Sequence, residues 1–195
     1  MINCKIKETN TVHKEAVNSE CWVYILLIRT KSAFSRFVKA VTGAEYTHTS
    51  IAMEADCETL YSFARRYEYL PLPAGFVKEH INKGLMGKSK SAPCVLYRVR
   101  VSHEAKLKLM ARLESMFAVR KKYSYSLSGP FLCYFNVAIE HKDKFFCSQF
   151  AAQALHDVGA IKLLKPASLY KPMDFLNQPE FELCYRGTLG ELSEI

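Results

Sequence analysis

Two residues carry the chemistry that this sequence offers. Cys147 stands in KFFCSQFAAQALHDVGA (residues 144–160), and His48 stands in YTHTSIAME (residues 46–54). Around the cysteine, Cys147, Phe150, Ala151, Ala154, Leu155 and Val158 recur at the spacing of one helix face. A cysteine in such a stripe packs as a small hydrophobe in many proteins. Its place on the first turn is what makes it chemical. Only the thiolate attacks a carbonyl, and a free thiol with a pKa of about 8.5 is mostly protonated at neutral pH. The positive end of a helix dipole lowers that value, and so does a histidine that takes the proton. First-turn N–H groups also lack helical partners, so they can donate to an oxyanion.

Six histidines compete for the role of base. His13 lies in a polar N-terminal segment. His80 and His141 sit in loop-like or charged surroundings, and His103 opens a surface helix. His156 is on the cysteine's own helix, more than two turns along, and cannot reach back. His48 lies on a β-prone run beside the small residues Thr47, Thr49 and Ser50, which leave room for a ligand and a partner helix.

Bulk properties narrow the classes. The chain has 195 residues, 49% hydrophobic and 24% charged, which fits one domain over 1–195 with a sizeable core. Its net charge of +8 favours anionic partners. The densest basic run, Arg120 to Lys122, is too short for a nucleic-acid patch, and no zinc-finger, RNP or helix-turn-helix signature occurs. Seven dispersed cysteines without a C-x-x-C spacing argue against a metal site and against a disulfide framework, so a reducing cytoplasm is expected. Residues 1–20 are polar, with no signal-peptide core, and the apolar run from Cys21 to Ile28 is too short to span a bilayer. No cofactor and no stable membrane insertion are expected, and the sequence does not fix the oligomeric state.

The elements that would position the pair follow from periodicity. CWVYILLIRT (21–30) reads as a buried strand, and SAFSRFVKAVTG (32–43) as a helix stopped by Gly43. YTHTSIAME and TLYSFARR (59–66) read as an antiparallel hairpin. LPLPAG (70–75) reads as a turn, and the stretch beyond it to Pro93 as irregular, with a short helix and an exposed loop. CVLYRVRVS (94–102) alternates like a half-exposed strand. Residues 102–123 form the clearest helix, with Ser102 as N-cap. After the cysteine helix, FELCYRG (181–187) is one more strand. The layout is α+β, helices on a mostly antiparallel sheet. In the aromatic segment 123–135, Tyr123, Tyr125, Phe131, Tyr134 and Phe135 could line a pocket, with core packing the favoured reading of the two phenylalanines.

YTHTSIAME, then TLYSFARR, then much later FFCSQFAAQAL resembles the circularly permuted branch of the NlpC/P60 papain-like superfamily, which includes lecithin retinol acyltransferase and YiiX-like proteins. In that branch the histidine strand comes first and the cysteine helix last. The resemblance covers about Tyr24 to Gly159. It implies a small sheet or half-barrel packed against the cysteine helix. It also implies Cys147 as nucleophile and His48 as base, acting on an amide, ester or thioester.

One position departs from the family pattern. The strand after the histidine strand usually bears a third polar residue, often histidine, which orients the imidazole. Here the strand reads LYSFARR. Ser62 has the right parity if the hairpin pairs evenly, and Tyr61 if the register slips by one. The expected activity is hydrolysis of a peptide, amide or ester through a covalent acyl-enzyme on Cys147. A lipid-like substrate with acyl transfer is an alternative, against which the absence of an anchor tells. A binding module without turnover is another, supported by the uncharged third position.

Overall fold

The computed structural model describes residues 20–30, 43–67, 70 and 72–194. Eight strands form one sheet: β1 (Glu20–Ile28), β2 (His48–Ala52), β3 (Thr59–Arg65), β4 (Ala74–His80), β5 (Pro93–Ser102), β6 (Ser124–Tyr125), β7 (Lys144–Phe145) and β8 (Phe181–Thr188). Their spatial order is β7-β6-β4-β3-β2-β1-β5-β8. Every pairing is antiparallel except β6 with β7. The sheet curls into a half-barrel, and with its few helices the fold is α+β.

β1 runs through the middle, between β2 and β5, and both of its faces are covered. Val23, Ile25 and Leu27 join one core, and Leu26 and Ile28 the other. That is why its sequence is a continuous apolar run rather than an alternation. The larger core lies under helices α2 (His103–Ala118) and α4 (Cys147–Asp157). The smaller core lies under the short helices α1 (Gly84–Gly87) and α5 (Leu189–Leu192). The remaining helix, α3 (Gly129–Tyr134), is a short segment between β6 and β7.

The helix boundaries follow local chemistry. Ser102 caps α2 by accepting from the Ala105 N–H at 3.1 Å. α4 stops where Gly159 takes φ +73°, a left-handed conformation that costs glycine little. In that turn the Gly159 N–H bonds the His156 carbonyl, and the Ala160 N–H bonds that of Leu155.

Phe63 anchors the larger core beneath the cysteine helix. Its ring lies 5.2 Å from Phe150, 5.3 Å from Phe145 and 5.5 Å from Phe76. Phe63→Ala should therefore destabilise the fold by about 3–5 kcal/mol, read from the urea midpoint. A loss below about 1 kcal/mol would mean that this aromatic cluster is not what seats α4 on the sheet.

Several expectations are corrected. β4 begins inside LPLPAG, at Ala74, and runs on to His80 through the stretch expected to be irregular, paired along its length with β3. Gly75 hides this strand from a sequence reading. A Cβ there would stand 2.3 Å from the Tyr123 carbonyl oxygen, so close approach of the backbone requires glycine inside a strand. Phe131 and Phe135 do not pack in the core but are 60% and 59% exposed. The helix expected over 32–43 and the N-terminal segment fall almost wholly outside the described residues. Among the described residues, no helix is long and apolar enough to cross a membrane.

Candidate active site

Cys147 is the first residue of α4, after Phe146 at the N-cap. Phe146 provides no side-chain cap, so the first-turn N–H groups get no partner from it. The helix start is pinned by Ser148, whose hydroxyl donates to the Tyr170 carbonyl at 2.7 Å. His48 is the first residue of β2, on which α4 packs. Both side chains are buried, and they hydrogen-bond each other.

Each group shifts the other. Burial alone would raise the Cys147 thiol, but the hydrogen bond and positive charge of His48 outweigh it. The backbone N–H groups of Thr49 and Ser148 also donate to the sulfur, and the net result lies below the ordinary thiol range. Burial alone would depress His48. Hydrogen bonds and negative charge from Cys147 and Glu79 reverse this and push it up to about 10. The favoured state is thus a thiolate beside an imidazolium.

A third residue orients the imidazole. His48 Nε2 donates to Glu79 Oε2 at 3.3 Å, with Ser50 Oγ also 3.3 Å away. That leaves Nδ1 for the thiol. Glu79 is on β4, two strands from His48. The register makes this possible: Leu60 opposes both Ala52 and Glu79, so His48, Ser50, Ser62 and Glu79 share one parity.

Ser62 therefore stands on the face expected from even pairing, yet its hydroxyl donates to the Thr49 carbonyl at 2.7 Å. Tyr61 is on the other face, donating to Glu114. Neither holds the position assigned to it against His48, because a carboxylate one strand further on reaches the ring first.

Tyr125 completes the cluster. Its hydroxyl hydrogen-bonds the Cys147 sulfur, and burial together with the thiolate's charge holds its proton well above the usual phenol range. It reaches the site because β6 pairs with β7, directly before Cys147. The sequence marks Tyr125 only as one aromatic among several, and Glu79 not at all, since its strand is unreadable there.

Two other histidines that the sequence offers are engaged elsewhere. His156 Nδ1 lies 3.2 Å from the Ile161 carbonyl, and His103 Nδ1 lies 3.7 Å from Cys21 Sγ. Among the described residues, no cluster of His, Cys, Asp or Glu is placed to hold a metal ion. The arrangement can generate a nucleophilic thiolate, hold a proton opposite it, and offer first-turn N–H groups to an oxyanion. Comparison with protein-family models, curated proteins and solved structures gave no match for the chain.

Proposed function

We propose that the protein is a cysteine hydrolase of peptide, amide or ester bonds, built on the permuted NlpC/P60 papain-like plan. One observation carries this reading: a buried thiol at a helix start, lowered in pKa by a histidine that is itself held by a carboxylate.

The chemistry follows the papain-like order of steps. The Cys147 sulfur forms a bond to the carbonyl carbon, and the carbonyl π pair moves to oxygen. The Cys147 N–H, on the first turn, is positioned to receive that charge. As the tetrahedral adduct collapses, His48 gives its proton to the leaving nitrogen and the C–N bond breaks. Water then attacks the thioester and passes a proton to His48. The acid departs, and the thiolate–imidazolium pair is restored. Glu79 keeps the ring oriented throughout and stabilises it at the steps where it is the imidazolium.

The uncharged third position that supported a non-catalytic binding module has no counterpart in this cluster, where a carboxylate faces the imidazole. Exposed apolar side chains at Leu127, Phe131 and Phe135 favour a second reading, in which the acyl group is a lipid chain and an acceptor replaces water.

Limited iodoacetamide labelling at about pH 6 tests the reading without a known substrate. Cys147 should be alkylated before the other cysteines. Burial pushes Cys57 and Cys94 up to about 12 and also raises Cys133 and Cys184. His48→Ala should abolish the preference. Labelling of Cys57 or Cys94 ahead of Cys147 would make Cys147 a packing residue.

A further inference from the structure

β4 pairs with β3 along its whole length, but its bridge to β6 is confined to Gly75. Residues 76–80 thus form an open strand edge among the described residues, about 17 Å long at the usual rise. A groove of about 470 Å³ runs along this edge, walled by α1 on one side and by Phe117 and Arg120 on the other. Open edges are normally blunted or covered, because their unpaired backbone groups attract another strand.

The groove is strongly basic. Arg65, Arg66, Lys78, Lys83, Arg120 and Lys121 line it, against Glu79 as its one carboxylate. Lys78 is neutralised by Glu114 at 2.8 Å, and Arg66 is held by the carbonyls of Arg120 and Tyr123. Arg65, Lys83 and Lys121 have no acidic partner among the described residues. They sit at opposite ends. Arg65 opposes Ala74, where β4 begins, and Lys83 lies past His80, where it ends. A lone phosphate would engage one end. An extended chain with acidic side chains engages both, while its backbone pairs with the edge.

We propose that this groove recognises an extended acidic peptide, which adds to the outer edge of β4 as a further strand. Glu79 lines the groove and holds His48, so it is the one side chain that links a strand bound there to the catalytic pair. The inference rests on the hydrolase reading for its purpose, and it names the substrate class of that enzyme as acidic polypeptide.

The test measures binding apart from turnover. The full chain carrying Cys147→Ala is titrated against a fluorescein-labelled hexapeptide of alternating Glu and Val, by anisotropy at low ionic strength. Saturable binding that weakens with salt is expected, with the Gln–Val counterpart at least about tenfold weaker. N-methylation at alternate residues should remove binding, because it deletes the edge hydrogen bonds. An exposed pair is worth up to about fivefold, so Arg65→Glu with Lys121→Glu should cost on the order of twentyfold. Lys83→Glu should weaken binding from the other end. These side chains reach solvent, and matched thermal unfolding confirms that the variants fold.

Equal affinity for the Glu and Gln peptides overturns the proposal, as does indifference to N-methylation. Phosphatidylserine vesicles or inorganic phosphate binding at this groove, with the peptide excluded, overturns it too. Turnover of neutral amides by wild type with no acidic-peptide binding would sink this inference alone. Peptide binding by a chain whose wild type is inert on every amide and ester tried would sink the hydrolase reading alone.

Discussion

Cys147→Ala is expected to abolish turnover of activated esters and amides, by at least about 10⁴-fold, while the protein stays folded. The substitution removes a single heavy atom from a helix start whose other anchors persist. Ser148 still bonds the Tyr170 carbonyl, and Phe150 still packs against Phe63 and Phe76. What disappears is the sulfur that the proposed mechanism uses to form the covalent intermediate. His48 also loses its principal negative neighbour, so its pKa should fall, which NMR titration of the ring can follow. Residual activity near wild type in the folded variant would mean that another nucleophile, or none, performs the reaction.

Glu79→Gln should lower kcat by about 10²–10⁴-fold, far more than Ser62→Ala. Glutamine can still accept a bond from His48 Nε2, so orientation largely survives and the change is mostly in charge. Glu79 acts through His48 and is a positioning residue, so its signature is in the pH profile. Its carboxylate helps hold the imidazolium up to about 10. The imidazolium therefore persists below that value and is lost as pH rises through it. Removing the carboxylate lowers the His48 pKa, and the alkaline limb of kcat/KM should move to lower pH. Ser62→Ala frees the buried Thr49 carbonyl instead. It should cost about 1–3 kcal/mol of stability and leave the alkaline limb in place. Equal losses of kcat in the two variants with unmoved limbs would remove Glu79 from the mechanism.

The contrast between these two positions shows what a sequence can and cannot display. His48 and Cys147 are legible because each opens an element with a strong period of its own, a buried strand and an apolar helix. The hairpin's alternation separates Ser62 from Tyr61 by face but leaves the register open, and the pairing of Ala52 with Leu60 puts Ser62 on the face of His48. Glu79 was not legible, for two physical reasons. Gly75 interrupts the strand pattern to admit the Tyr123 carbonyl, and Lys78, Glu79 and His80 read as solvated loop. The strand exists because β3 offers it an edge, a tertiary fact with no local signal. Tyr125 was obscured in the same way, since a strand of two residues has no periodicity.

The parallel contact between β6 and β7 has a further consequence. The Ser124 N–H bonds the Asp143 carbonyl at 3.0 Å, and the Ser126 N–H bonds that of Phe145 at 2.9 Å. The chain thus leaves the sheet and returns to the same spot just before the nucleophile. Everything between these ties, with its exposed aromatic side chains, is an excursion whose two ends are clamped together. Doubling the length of such an excursion costs only about 0.6 kcal/mol of closure entropy. Residues 127–142 are therefore the segment of this scaffold whose length is cheapest to change, provided that buried Cys133 and the close approach of Gly129 to Phe146 are kept. A graft there can change the exposed surface of the segment while the clamp keeps the strands that precede Cys147 and carry Tyr125 where they are.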